Sequence, residues 1–163
     1  MRLSKVLLMA AIALWLALVA FGNLTDYGSN LVFVQHVLAM DSIFPDARIH
    51  YRAIHSPLLQ HAAYVLIIAT ETCAAALCGI GTWRMGRARR APAAMFHRAK
   101  QLAVAGLTLG LLLWLGGFMA IGGEWFGMWM SSQWNGLASA FRFVMVLSVA
   151  LVYLGQREDE LDG

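Results

Sequence analysis

Charge is what this sequence has least of: 13% of its 163 residues are Asp, Glu, Lys or Arg, about half of the roughly 25% in an ordinary soluble domain. With 60% apolar residues, a mean hydropathy of +0.66 and a net charge of only +3, the chain is neither a disordered segment nor a nucleic-acid binder. Cysteine is equally scarce, which excludes a disulfide framework. Cys73 and Cys78 fall in one apolar run and project from different sides of a helix, so they are read as buried free thiols. No C-x-x-C is present, and thiol redox chemistry goes with it. Also missing are His-x-x-x-His, His-Glu-x-x-His, a phosphate-cradling loop and any Ser/His/Asp arrangement. No catalytic set is recognisable, and enzyme and binding protein are both left open.

What is present is apolar sequence in long runs. Helices are expected at about 5–23, 61–83, 101–123 and 136–155, each near the roughly 20 residues that cross a bilayer. Backbone polar groups in lipid must be satisfied within the segment, so runs of this length are helices and not strands. The predicted fold is an all-α integral membrane four-helix bundle, a single transmembrane domain over 1–163. Arg2 and Lys5 before an apolar core, with Ala20-Phe21-Gly22 after it, resemble a cleavable signal; we read the segment as an uncleaved first helix. Gly106, Gly110 and the Gly116/Gly117 pair are expected at helix contacts, the first two as a small-x-x-x-small step.

Charge placement orients the bundle. The connection 84–100 holds Arg84, Arg87, Arg89, Arg90, Arg98 and Lys100 with no acid, and Arg2 and Lys5 open the chain. The positive-inside rule puts both in the cytoplasm, along with the acidic tail 156–163, since acids weigh little in the rule. Lys100 is explained by snorkelling to that surface. The connections 24–60 and 124–135 then face outward, in a bacterial inner (cytoplasmic) membrane with both termini cytoplasmic.

The outward connections hold the unusual residues. The first is too long to lack structure, and its apolar stretch 31–40 is expected as a short interfacial helix or as a continuation of the first helix, with Asp26 and Asn30 on one face. Four of the five histidines, His36, His50, His55 and His61, lie in or beside it. The other connection carries Glu124, Trp125, Trp129, Trp134 and Asn135. Trp125 and Trp134 are read first as an aromatic belt, and Glu124, after two glycines, as a rim charge or a cation ligand.

The run Gly-Gly-Glu-Trp-Phe at 122–126, then Met128-Trp129, Trp134-Asn135-Gly136 and Ala140-Phe141-Arg142, resembles a bacterial family of predicted small integral membrane proteins, domain of unknown function 2165. Asn23, Asp26-Tyr27, Asn30, the block 33–41 with His36, and Glu71 extend the resemblance over essentially the whole chain. The family pattern has glutamine where this chain has Met130, so no polar role is carried onto that position. The resemblance implies the membrane fold and directs attention to Asp26, Asn30, His36, Asp41, Glu71, Glu124, Trp129, Asn135 and Arg142, without supplying a function.

Two of these charges lie inside expected spans. Glu71 is about 15 Å past His61 and Arg142 about 10 Å past Asn135 at 1.5 Å per residue, depths at which an ionisable residue is a functional candidate. Opposite signs at similar depth predict a Glu71–Arg142 pair. A b-type haem is disfavoured because no histidine lies at mid-span, leaving His36 with His61 as the sole conceivable axial pair. A metal held by His36, Asp41 and Glu124, or a quinone or lipid held near Trp125, Phe126, Trp129, His36 and Glu124, are the ligands left open. The preferred reading is an accessory or binding subunit of a membrane complex, or a homo-oligomer, using an outward polar and aromatic site. A membrane-embedded redox or metal-dependent enzyme is the alternative.

Overall fold

The computed structural model describes residues 1–157 and is all-α, with no strand among the described residues. In chain order the elements are α1 (Arg2–Thr25), α2 (Tyr27–Ala39), α3 (Pro57–Ala88), α4 (Ala93–Ala99), α5 (Gln101–Leu111), a wider-wound segment Leu112–Trp125, and α6 (Leu137–Gly155). Four helices are long and apolar enough to cross a membrane: Arg2–Thr25, Pro57–Ala88, Ala93–Trp125 and Leu137–Gly155. Residues 158–163 of the expected acidic tail lie outside the described residues.

The first three spans are longer than the apolar runs that announce them. α3 takes Pro57 at its first turn, where a missing N–H costs nothing, and its 32 residues amount to about 48 Å, against roughly 30 Å of hydrocarbon. Apolarity does not tell inside from outside here. Along α1, Met9, Ile12, Leu16 and Ala20 are buried, while Leu3, Leu7, Leu14, Leu18 and Phe21 are exposed at helical spacing, as lipid-facing residues must be. Side-chain size makes the distinction instead. A Cβ on Gly81 would collide with the backbone of Ala103, and one on Gly106 would come 2.7 Å from Cys78 Sγ and 2.9 Å from Ala74 O. α3 and α5 therefore touch backbone to backbone at this level.

Several expectations are corrected here. Gly106 and Gly110 do not share one contact: Gly106 faces α3, whereas Gly110 faces Leu147 of α6. Gly116 packs against nothing within 4 Å. Cys78 is buried as expected but Cys73 is exposed, because five residues at 100° each put them on different sides. Lys100 does not snorkel. It is 2% exposed, and its Nζ donates to the carbonyls of Leu154 and Gln156 at 3.0 and 2.9 Å. Lys5 Nζ reaches Gln156 O as well, at 3.0 Å. Two buried cations thus satisfy the last carbonyls of α6 and meet the negative end of its dipole.

From Leu112 to Trp125 the chain winds as a π-helix of 14 residues, closed by Phe126 N–H to Ile121 O, five residues back, at 3.0 Å. Such windings are ordinarily single-turn bulges near functional sites. This one contains Gly116, Gly117, Gly122 and Gly123, and it ends where the connections begin.

Those connections form a cap. α1 breaks at Asp26 (φ −118°, ψ 53°) and α2 restarts at once, so the apolar stretch continues the first helix across a hinge. α2 stops at Met40, in the left-handed region at φ 53°, a conformation that costs a long side chain something. Burial of the Met40 side chain with Ile43 and Phe126 offsets that cost. Ser42 and Ser131 share a 2.8 Å hydrogen bond, and Arg52 donates to Trp125 O at 3.1 Å while lying 4.4 Å over the Trp125 ring. The first and third connections are thereby held together, as a structured cap requires.

Candidate functional site

The cap end of the bundle is not solid. α3 and the third span, in contact at Gly81 and Gly106, part further along, and α2 lies across the gap. The result is an apolar cleft of about 510 Å³, walled by Val34, Val37 and Leu38 of α2, Leu66 and Ile67 of α3, and the π-wound segment with Gly116 and Gly117. Thr70 is among the few polar groups on its walls.

Beside the cleft is a smaller chamber of about 240 Å³ with different chemistry. Asn23, Asn30, Tyr64, Glu71 and Ser139 line it together with the aromatic rings of Phe33, Trp114, Phe118 and Phe143. Phe33, Val34, Ile67 and Phe118 line both spaces, so the polar chamber and the apolar cleft adjoin along these side chains. Together they fall within the roughly 300–1,000 Å³ of small-molecule sites, mostly apolar with a few convergent polar groups.

Glu71 is the centre of the chamber's polarity. It is 2% exposed, and its Oε2 accepts a 2.6 Å hydrogen bond from Asn23 Nδ2. Tyr64 holds Asn23 in turn, its hydroxyl donating to Asn23 O at 3.1 Å and Oδ1 at 3.4 Å. Tyr27 packs 4.7 Å from the Tyr64 ring, and its hydroxyl meets His61 Nδ1 at 3.0 Å. Among the described residues no basic side chain pairs with Glu71, and Oε1 has no hydrogen-bond partner. Trp114 is the second polar group left open. It is 4% exposed, edge-on to Phe118 and tilted against Phe143 with centroids at 5.0 and 4.3 Å, and its Nε1–H is buried without a partner. A buried donor left unsatisfied costs about 1–3 kcal/mol, and so does not persist without a reason.

The expected Glu71–Arg142 pair does not form. Arg142 is exposed and donates to Ala138 O and Ser139 Oγ, both at 3.3 Å, along its own helix. Similar depth is not similar azimuth: Glu71 points into the bundle, whereas Arg142 reaches only the chamber's rim through Ser139. The metal trio is not assembled either. His36 Nδ1 meets Asp41 Oδ1 and Oδ2 at 2.9 and 2.8 Å, with its ring flat on Trp134 at 4.3 Å, but Glu124 lies elsewhere, exposed in a groove with Leu115, Met119 and Phe141. Among the described residues no three His, Cys, Asp or Glu side chains converge.

The other candidates have separate places. Asn30 lines the chamber and donates from Nδ2 to Asp26 O at 3.1 Å, bracing the hinge. Asp26 itself is exposed. Asn135 Oδ1 accepts at 3.1 Å from the N–H of Leu137, the first residue of α6. Trp125 is the surface that Arg52 covers, and Trp129 is half-exposed, edge-on to Phe44 at 5.9 Å.

A family model described as "Predicted small integral membrane protein (DUF2165)" matches residues 1–157. The chain belongs to that family. No curated protein and no solved structure matches it. As a member of this family it is a small integral membrane protein, embedded in a lipid bilayer. Of the residues that carry the resemblance, Asn23, Asn30 and Glu71 meet at one chamber, while His36 and Asp41 meet at the cap. Residue-by-residue reading passed over Trp114 and Tyr64. A tryptophan deep in a span, away from the interface where its N–H finds water, is the signal that would have found the first.

Proposed function

We propose that this protein binds a lipid-soluble, amphipathic small molecule, polar head in the chamber and apolar tail in the cleft. The observation that carries the reading is that the two spaces adjoin along the shared side chains of Phe33, Val34, Ile67 and Phe118. The chamber is lined by Glu71, whose Oε1 accepts no hydrogen bond from the described residues, and by Trp114, whose buried indole N–H has no partner. The cleft beside it is apolar enough for a chain drawn from the bilayer.

In the arrangement we propose, the chain is one transmembrane domain of a bacterial inner membrane. The arginines at 84–98, with Arg2 and Lys5, lie in the cytoplasm, which puts the cap and the mouth of the site outside. Ligand analysis tests the reading. Protein purified in mild detergent is extracted and its lipids identified by mass spectrometry, beside a Gly116→Leu variant, whose new side chain starts in open space and fills the cleft. We expect a discrete amphiphile in stoichiometric amount from the parent and its loss from the variant at unchanged thermal stability. Equal, heterogeneous lipid from both refutes it.

A further inference from the structure

The chamber's walls say more about the head that fits it. Its charged lining is a single carboxyl, Glu71, with no lysine or arginine, so a phosphate or carboxylate head would meet no compensating cation. An organic cation would find Glu71 and several aromatic faces, but its charged nitrogen offers no acceptor, and Trp114 Nε1–H requires one. Of the unpartnered groups on the lining, Trp114 Nε1–H is a fully buried donor and Glu71 Oε1 an acceptor on a buried residue, carried by two different spans, while Asn30 and Ser139 sit on less buried positions. Phe33, Phe118 and Phe143 with the Trp114 indole leave space suited to a flat ring.

On this basis, and resting on the chamber and cleft being one ligand site, we infer that the head is a hydroquinone carrying an apolar tail. One ring oxygen accepts from Trp114 Nε1–H and a hydroxyl donates to Glu71 Oε1, while the tail lies in the cleft along Gly116 and Gly117. A hydroxyl opposite a second oxygen on one rigid ring supplies both halves of the match. A diether or a quinone supplies fewer, because Glu71 Oε1 then loses its donor. Binding alone is inferred, with no electron transfer.

The test is a titration in nanodiscs, read by tryptophan fluorescence. Four probes share a decyl tail: a decyl hydroquinone kept reduced, its dimethyl ether, decyltrimethylammonium and decanoate. The ether keeps the ring, the tail and the acceptor oxygens but has no hydroxyl. We expect the hydroquinone to bind about tenfold more tightly than the ether, the magnitude of one hydrogen bond to a carboxyl group, and more tightly than the cation or the acid. Trp114→Phe, which keeps an aromatic ring in place, should weaken the hydroquinone about fivefold and leave the hydroquinone-to-ether ratio intact, whereas Glu71→Gln should shrink that ratio. If either variant fails to fold, the comparison of probes on the parent protein still decides. Equal affinity for hydroquinone and ether, or tighter binding of the cation or the acid, overturns the hydroquinone while leaving an amphiphile site. Failure of all four probes to bind, or binding unchanged by Gly116→Leu, overturns both readings.

Discussion

Replacing Asn23 with Ala removes the one hydrogen-bond donor that the structure gives Glu71, and the size of the effect follows from the geometry. Neutral interhelical hydrogen bonds in membranes average about 0.6 kcal/mol and reach about 1.7, whereas a bond to a charged acceptor contributes about 1.5–3 kcal/mol. The Asn23 Nδ2 to Glu71 Oε2 distance is 2.6 Å, at the short end, and no basic side chain among the described residues competes for the carboxyl. A coupling near 2 kcal/mol is therefore expected. Tyr64 does not blur the experiment, because its hydroxyl keeps the backbone carbonyl of residue 23 as an acceptor after the substitution. The assay is a double-mutant cycle of Asn23→Ala and Glu71→Ala, with unfolding free energies from reversible denaturation in mixed micelles. Asn23→Ala should cost about 2 kcal/mol with Glu71 present and little once Glu71 is gone. Equal losses in both backgrounds, with coupling below about 0.5 kcal/mol, would refute the assignment of Asn23 as Glu71's partner.

Other consequences can be checked with the same preparation. Glu71→Gln and Arg142→Met should be additive within about 0.5 kcal/mol, as residues without mutual contact are; coupling above 1 kcal/mol in a cycle would restore the ion pair. Gly106→Leu should destabilise by 3 kcal/mol or more, because its Cβ alone meets Cys78 and Ala74 O, beyond the roughly 1–3 kcal/mol of ordinary overpacking; thermal unfolding reads this, and a tolerated leucine would contradict the close α3–α5 approach. Lys100→Met leaves the carbonyls of Leu154 and Gln156 without that donor and should speed amide exchange in the last turn of α6, with protection there unchanged as the contrary result. His36→Ala removes the contacts to Asp41 and Trp134 at a cost of about 1 kcal/mol. It should raise exchange in the cap around 128–136 while leaving the spans protected, and an effect spread over the whole bundle would count against a local role.

The fold was legible in the sequence because the bilayer simplifies the problem. A long apolar run leaves the backbone one option, so four spanning helices were legible, while Pro57 and the Ala93–Ala99 turn carry two of them beyond the apolar limits. The cap was legible for a related reason: polar and aromatic residues gathered in two connections must cover the same end. Azimuth was not legible. Lipid-facing and buried positions are equally apolar, as α1 shows, so depth alone predicted a Glu71–Arg142 pair that rotation about the helix axes forbids. The same blindness made Gly116 look like a packing glycine when it opens onto a cleft. The site was half visible. Glu71 stood out as a charge inside an apolar span and Asn30 through the family resemblance, but Asn23 drew no role of its own and Trp114 looked like one more apolar residue until its unpartnered N–H came into view. The π-wound segment left no mark beyond its glycines.

The central claim is that the chamber around Glu71 and Trp114 takes the head of a membrane-soluble ligand. The most direct measurement is the indole N–H spectrum of protein labelled with ¹⁵N-tryptophan in nanodiscs, where the chain's six tryptophans give separate signals and Trp114→Phe assigns the one that matters. Titration with the decyl hydroquinone should move the Trp114 signal downfield as its N–H gains an acceptor, with Trp15 and Trp83 unmoved. A Trp114 signal that stays fixed while Trp125 or Trp129 shifts would place the ligand at the cap instead and contradict the account.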